Sequence, residues 1–589
     1  MRVAVGSSRW IAGGAVTVAA YGLVVVGLTW PLAARLTTHL PAACGADCLL
    51  TAWVLAHETH ALTTAPAHLL DANTYFPAPH TLFYGVTAFG ALPWFAPVFL
   101  MTGNPALALN VTWLAGLTLT AWTLHVVVRR WTESTLAGAV AAATFLGTPW
   151  VWSWTSTAPF YALLLYLPLI VAVAADGAGV LGLAALVVLQ CLVEPLYLTL
   201  AIFVPLGVLA AWRTARRARR GASLRLVVAL GLAAVVLLPV YAGYLGPVAA
   251  NPGLRRQSAW GYFAGDDDDT VPGLYRLRGV PYVPMSLPWG LVTPPAATAV
   301  PRAAFLVILL GGVSLALHAR TRRPAQEVRA WKHAAGWAAA GALMSLRPVV
   351  LVLGRTVWLP HLVLIARLSR IRIDYLRLGV VGLIGLALLA GLAFAECVRR
   401  LPGHGRWRRV ASGVLALALA AGLYAQVRTG LAAAFPVEIA IAPRSPLVQA
   451  LRASSGPVLE LPLGRAGISP GPHARAMYRS IFHWRPLLNG YGSYFPAGFA
   501  ERMAVAERLP DASALATLAQ ETGLATVVVH TQELPPAERA AWRAVAEGRG
   551  PGGLTLAAAD GTDLVFGVDY RGAGGPPTGS TATAPSTGR

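Results

Sequence analysis

Charge is what this sequence has least of. Only 12% of its 589 residues are Asp, Glu, Lys or Arg, against 56% that are hydrophobic. A soluble chain carries about 25% charged residues, so a soluble multi-domain protein is excluded and the chain belongs in lipid. Acids are scarcer still: 25 Asp and Glu face 46 Lys and Arg, a formal net charge of +21. A nucleic-acid partner would require a basic face on a soluble fold, whereas these arginines fall in short clusters between apolar stretches, which is the pattern of membrane orientation. Four cysteines are too few for a disulfide scaffold. Cys191 and Cys397 lie in or beside apolar segments, which leaves Cys44 and Cys48 to face an oxidising compartment.

What is present is a succession of apolar runs. The first, 10–30, follows Arg2 and Arg9 and has the length of about twenty residues that a bilayer core requires. Trp30-Pro31 is no small-residue cleavage site, so it reads as a retained helix. Further spans are expected at 106–128, 136–150, 158–176, 178–193, 195–212, 224–245, 301–318, 333–353, 378–396 and 410–431, about eleven in all. With the N-terminus in the cytoplasm, Arg129-Arg130 and the basic runs 213–225, 320–332 and 399–409 all fall inside. The outward loops then hold Asp266 to Asp269, the tryptophans Trp150, Trp152 and Trp154, and the long segment 31–105. The apolar stretch 83–101 is broken by Gly85, Gly90, Pro93 and Pro97 and reads as interfacial or re-entrant. Glu194-Pro195 divides one long apolar run into a hairpin of two short spans.

From about residue 436 the character changes. A helix-like 445–454, strands at 458–463 and 525–530, a helix at 535–547 and a hairpin turning at Asp560-Gly561 describe a small α/β domain. The expected organisation is a polytopic α-helical membrane domain, 1–435, with an outward first loop 31–105; an extracytoplasmic α/β domain, 436–572; and a disordered Gly/Pro/Ser/Thr tail, 573–589.

The first loop carries the sharpest chemical candidate. After Cys44-Gly45-Ala46-Asp47, the residues Leu49, Leu50, Trp53, Val54 and Ala61 recur at helical spacing, which predicts an amphipathic helix on the outer leaflet. Asp47 at its start is suited to capping the first turn, and a carboxylate fixed there is also placed to accept a proton or orient a nucleophile. Asp71, in Asp71-Ala72-Asn73-Thr74-Tyr75-Phe76-Pro77, is the next carboxylate; its alternative is a turn cap. Of the loop's five histidines, His57 and His60 share a helical face that reads, with Glu58, as the wet side of the interfacial helix. Converging ligands among them would make a metal site, so a divalent metal stays open as a cofactor.

These motifs resemble the GT-C class of membrane glycosyltransferases, which includes the protein O-mannosyltransferases and the lipid A aminoarabinose transferases. The resemblance is carried by an outward first loop opening with Gly-x-Asp and by a second span ending in Val128-Arg129-Arg130-Trp131. A bacterial branch of that class is resembled through Thr29-Trp30-Pro31-Leu32, the Asp71 motif, Thr102-Gly103-Asn104-Pro105, Val458-Leu459-Glu460-Leu461-Pro462 and His483-Trp484-Arg485-Pro486-Leu487-Leu488-Asn489-Gly490-Tyr491. It implies a polyprenyl-phosphate-linked sugar donor, work at the outer face of the cytoplasmic membrane, and Asp47 as catalytic base or acceptor-orienting carboxylate. Where the mannosyltransferases have a second acid, this chain has Cys48.

A lipid-phosphate donor requires outward cations. Arg355, Arg367, Arg370, Arg372 and Arg377 break the positive-inside trend, and the resemblance supports Arg370, Arg372 and Arg377 as phosphate partners. Glu460, His483, Arg485, Asn489 and Tyr491 form a polar and aromatic set suited to sugar or acceptor contact, or to internal hydrogen bonding. The acceptor is a lipid, a glycan or a protein. The rival functions are a transporter or flippase, which could use the breaks at Glu194-Pro195 and Arg347-Pro348 but lacks matched halves, and a non-catalytic membrane scaffold.

Overall fold

The computed structural model describes residues 8–41, 46–177, 179–216, 220–250, 275–277, 280–282, 302–318, 324–345, 349–352, 355–358, 375–402, 405–434, 437–438, 445–464 and 470–569. The chain forms two compact units. The first comprises Met1–Ala72, His80–Ala440 and Gly492–Pro496; the second comprises Asn73–Pro79, Ile441–Tyr491 and Ala497–Arg589. The expected tail 573–589 lies outside the described residues.

The first unit is helical: α1 Ser8–Leu28, α2 Ala46–Thr64, α3 Leu92–Thr102, α4 Pro105–Thr132, α5 Thr135–Leu146, α6 Pro149–Thr157, α7 Tyr166–Asp176, α8 Val180–Val193, α9 Tyr197–Ala215, α10 Arg220–Ala250, α11 Arg302–Leu317, α12 Ala325–Ser345, α13 Tyr375–Leu378, α14 Val380–Arg400 and α15 Arg406–Ala434. Two-residue strands β1 (His39–Leu40) and β6 (Val437–Glu438) pair antiparallel, and two short hairpins are formed by β2 (Tyr275–Leu277) with β3 (Val280–Tyr282) and by β4 (Val349–Val352) with β5 (Arg355–Trp358).

Among the described residues, α4, α9, α10, α14 and α15 are long and apolar enough to cross a membrane. Helix α4 starts where Asn104 accepts the Leu107 N–H at 2.9 Å ahead of Pro105 at the first helical position, a pre-organised N-terminus. It ends in Arg129-Arg130, and Arg130 pairs with Asp176 of α7 at 2.8 Å. Helix α14 is the centre, buried along almost its whole length against α5, α11 and α12. Small residues permit that: a Cβ on Gly341 of α12 would stand 2.1 Å from the Gly382 nitrogen of α14, so the two backbones touch. By contrast α10 and α15 present Val235, Val236, Leu238, Val414 and Leu417 outward, the apolar exterior a helix needs in lipid.

Three expected spans differ. The run 136–150 is split into α5, ending at Leu146, and α6, starting at Pro149. The run 158–176 is a 3-10 turn, Pro159–Ala162, followed by the eleven-residue α7, because Pro159 removes an amide donor and restarts the chain. The run 333–353 shifts back to α12, which stops at Ser345 before strand β4 at Val349. The break at Glu194-Pro195 is a helical hairpin: α8 ends at Val193, and the buried Glu194 carboxylate accepts the amides of Leu196 (3.2 Å), Tyr197 (2.6 Å) and Leu198 (3.0 Å) at the head of α9. An acid at a helix N-terminus satisfies donors that would be orphaned in an apolar interior.

The second unit is a four-stranded sheet in the order β7-β8-β10-β9, with β7 Val458–Leu461, β8 Thr526–His530, β9 Leu554–Asp560 and β10 Asp563–Val568. Strands β7 and β8 run parallel and the other pairs antiparallel. Strand β8 is buried along its whole length, as a continuous Thr-Val-Val-Val-His run at a sheet centre should be. Around it lie α16 Pro446–Ala453, α17 Pro470–Ser480, α18 Phe499–Ala506, α19 Ala512–Thr522 and α20 Pro536–Ala546, the last seating Trp542 on Phe566 at 5.3 Å between ring centroids.

Candidate active site

Helix α2 was expected on a membrane surface with His57 and Glu58 wet. It is instead enclosed: Leu50, Trp53, Val54, Leu55, His57, Glu58 and Thr59 are all buried, under α3, α4 and α6. An all-round apolar pattern interrupted by few polar groups is that of an interior helix. Cys48 is disulfide-bonded, while Cys191 and Cys397 are free. Asp47 lies inside the first turn of α2 and is half-buried, its carbonyl accepting the Thr51 hydroxyl at 2.8 Å. An anionic side chain in that turn is favoured by the helix dipole.

His57 stacks on Trp53 and its Nε2 stands 3.0 Å from the Leu69 carbonyl; burial holds its pKa below the ordinary value. Glu58 is completely buried. Its Oε1 accepts the Ala88 N–H at 3.1 Å, and its Oε2 has no partner. Burial pushes this carboxyl up to about 8, the Ala88 N–H opposing only in part. Asp71 is exposed and ties its loop together: it accepts the His80 N–H at 3.0 Å, and its two oxygens stand 3.4 Å from His68 Nδ1 and 3.3 Å from His80 Nδ1. The His80 amide, aided by both rings, holds its carboxyl below the usual range.

Of the phosphate candidates, Arg370 and Arg372 lie outside the described residues. Arg377, on α13, stacks on the Tyr197 ring 5.1 Å from its centroid, and its charge reaches Glu194. Among the described residues no three His, Cys, Asp or Glu side chains converge in a way that would hold a metal ion.

In the second unit the structure brings three of the resembling motifs together. The first-loop segment Asn73–Pro79 lies along 485–490: Tyr75 N–H to Asn489 O (3.1 Å), Phe76 N–H to Leu487 O (3.0 Å), Leu487 N–H to Asn73 O (2.7 Å). That segment in turn lies on β7, where Val458 N–H meets Pro486 O and Leu488 N–H meets Val458 O, each at 2.8 Å. Asn489 clasps β7 through its amide, accepting from Glu460 N–H (2.8 Å) and donating to Glu460 O (2.9 Å). Arg485 donates to the Leu451 and Arg452 carbonyls at the end of α16, and the Tyr491 N–H meets the Met477 sulfur at 3.1 Å.

The side chain of Glu460 points into a buried ionic chain that sequence reasoning missed. It pairs with Arg479; His530 Nε2 lies 2.9 Å from Arg479 Nη1 and 3.3 Å from Glu460 Oε2, and His530 Nδ1 is 3.0 Å from Asp563. Burial would raise the Glu460 carboxyl, but Arg479 and His530 outweigh it and hold it at about 2. His483 accepts the Arg485 N–H through Nδ1 at 3.1 Å, which fixes the Nε2–H tautomer, and its Nε2 has no partner. Burial, with Arg479, Arg485 and Arg452 nearby, brings it down to about 4 against the opposing charge of Glu460. In the sequence Arg479 lies among several basic residues of 473–485 and His530 ends an apolar strand, and neither position names its partner.

No protein-family model matches the sequence, and no curated protein sequence matches it. Among solved structures, the arabinofuranosyltransferase AftD from Mycobacteria, determined by single-particle cryo-EM, matches over 96% of this chain with a TM-score of 0.55 at 17% sequence identity. The chain spans 40% of the length of AftD. At that identity the likeness speaks for the fold alone: the chain shares the fold of AftD.

Proposed function

We propose that this protein is a membrane glycosyltransferase that moves a sugar from a polyprenyl-phosphate donor to a lipid, glycan or protein acceptor at the outer face of the cytoplasmic membrane. The observation that carries the reading is the fold shared with an arabinofuranosyltransferase over 96% of the chain. Asp47, fixed in the first turn of an enclosed helix, activates or orients the acceptor hydroxyl, with Asp71 shaping the loop beyond it. Arg377, with Arg370 and Arg372, neutralises the phosphate leaving group. Displacement at the anomeric carbon forms the new glycosidic bond as the bond to phosphate breaks, and the acceptor proton passes to the Asp47 carboxylate. In the C-terminal domain Arg485 and Tyr491 contribute to sugar or acceptor contact, while the buried Glu460, His483 and Asn489 hold that surface in shape from within.

The test is to incubate the purified full-length protein with a panel of radiolabelled polyprenyl-phosphate sugars, an arabinofuranosyl donor included. Transfer to an endogenous or added acceptor, or release of the sugar to water, is expected with one of them. Intact donors throughout, in a preparation that folds normally, would move the transporter and scaffold readings ahead.

A further inference from the structure

Glu58 is the least explained group in the first unit. It sits three helical turns beyond Asp47, on the same face of α2, and no solvent reaches it. One oxygen takes the Ala88 amide and the other takes nothing. An ionised carboxylate left half-satisfied in such a place is strongly disfavoured, and proton binding relieves that.

What Glu58 holds is the turn 85–91. Next to Ala88, Thr87 is tied by its amide (3.0 Å) and its hydroxyl (3.1 Å) to the Tyr244 phenol of α10. Gly90 lies against the end of α8 so tightly that a Cβ there would stand 2.5 Å from Val193 N and 2.7 Å from Leu192 C. The next residue of that chain is Glu194, which heads α9 and feels Arg377. A continuous set of contacts therefore runs from the helix of Asp47, through Glu58 and the turn, to the hairpin beside Arg377. We propose that Glu58 is a positioning residue for glycosyl transfer and that it works as a neutral carboxylic acid, pinning the 85–91 turn against the α8–α9 hairpin beside Arg377. The proposal rests on the glycosyltransferase reading.

The surroundings favour the neutral form. α3 and α6 contain no ionisable residue, and those of α4 are confined to His125, Arg129 and Arg130 in its last two turns. The titratable group whose charge couples to Glu58 is the Tyr244 phenol; on its own helix His57 and His60 stand one residue before and two after it and point to other faces, and the neighbouring turns add His68, engaged by Asp71, and Tyr161. None is a fixed cation that would hold the carboxylate ionised.

Substitution separates the protonation states. Gln keeps an oxygen for the Ala88 amide and replaces the acid O–H by N–H, so Glu58→Gln imitates the neutral acid. Glu58→Gln should keep kcat within about threefold and abolish a decline in wild-type kcat as pH rises through about 8. Glu58→Ala frees the turn and should lower kcat about tenfold or more. Independently of activity, infrared spectra of the full-length protein at pH 7 should contain the C=O stretch of a protonated carboxylic acid that Glu58→Gln removes. The inference is overturned if that band is missing, or if Gln is as damaging as Ala. If the band is present and the wild-type protein transfers no sugar from any donor, the glycosyltransferase reading fails, and the positioning role fails with it; the band tells the two failures apart.

Discussion

At the scale of single residues, one acid, one arginine and two histidines make separable demands. If Asp47 is the base, Asp47→Asn keeps size, gives up only the small dipole interaction of the charge, and removes the proton acceptor, so turnover should fall about a hundredfold with folding and donor binding little changed. Arg377→Ala should weaken donor binding instead, with Lys restoring it only in part because it lacks the planar fork and its stacking on Tyr197. Steady-state kinetics beside equilibrium binding of a labelled donor would distinguish them, and identical phenotypes would reject the division of labour. His483 makes a pH prediction. Its folded value, about 4, lies below the ordinary 6.5, so the unfolded chain takes up the proton first, and stability present above pH 6.5 is lost as pH falls towards 4, by about 3 kcal/mol. His530 acts oppositely. Burial works against its charge but Asp563 and Glu460 prevail and raise its value, so its contribution is full below 6.5 and fades as pH rises through the folded value. Hydrogen-exchange protection of β7 and β8 in the full-length protein should therefore decline between pH 6.5 and 4, and decline less in His483→Gln. An unchanged profile in that variant would place the titration elsewhere.

Among elements, the segment Asn73–Pro79 sets the strongest constraint, because it belongs to the C-terminal unit although the first loop encodes it. Tyr75 is buried there, edge-on to Phe499 at 4.9 Å, and a Cβ on Gly490 would stand 2.3 Å from its ring. Burying a large aromatic and closing three main-chain hydrogen bonds contribute together several kcal/mol. A fragment that starts after residue 436 should thus be poorly folded, and adding a peptide of residues 71–80 should restore cooperative unfolding; a fragment equally stable without the peptide would show the segment to be dispensable. The sequence could not announce this pairing. The strands at 458–461 and 526–530 and the hairpin at Asp560-Gly561 were legible because alternation, β-branching and a turn pair are local signals. The Asp71 and His483 motifs were legible as motifs, but their contact joins residues about four hundred positions apart, which no window spans. Helix α2 failed for a related reason: an apolar helix with a few polar groups looks alike whether a bilayer surface or other helices cover it, and here α3, α4 and α6 do.

For the whole molecule, hydropathy found the helices better than it found their ends. Segments such as 378–396 and 106–128 match α14 and α4 closely, whereas 158–176 ran a 3-10 turn and a short helix into one span, since an apolar average does not register the amide missing at Pro159. The site is less legible than the fold. Asp47 and Arg377 are proposed from residue type and place, whereas the surroundings of Glu58, Arg479 and His530 are made by burial and by partners on other elements, neither of which a linear sequence displays. Orientation is where the sequence speaks for the molecule as a whole. Charged clusters set topology because carrying Arg across the bilayer is costly and the cytoplasmic leaflet attracts it. With the N-terminus inside, Arg129-Arg130, 213–225, 320–332 and 399–409 all fall on one side, which places an odd number of crossings between residue 1 and the C-terminal unit. Reporter fusions at Arg219 and Arg406 should then signal cytoplasm, and a fusion at Gly456 should signal the outside. A cytoplasmic signal at Gly456 would put Glu460, His483 and the segment holding Tyr75 beyond the reach of an outer-face reaction, and would remove the C-terminal unit from the catalytic proposal.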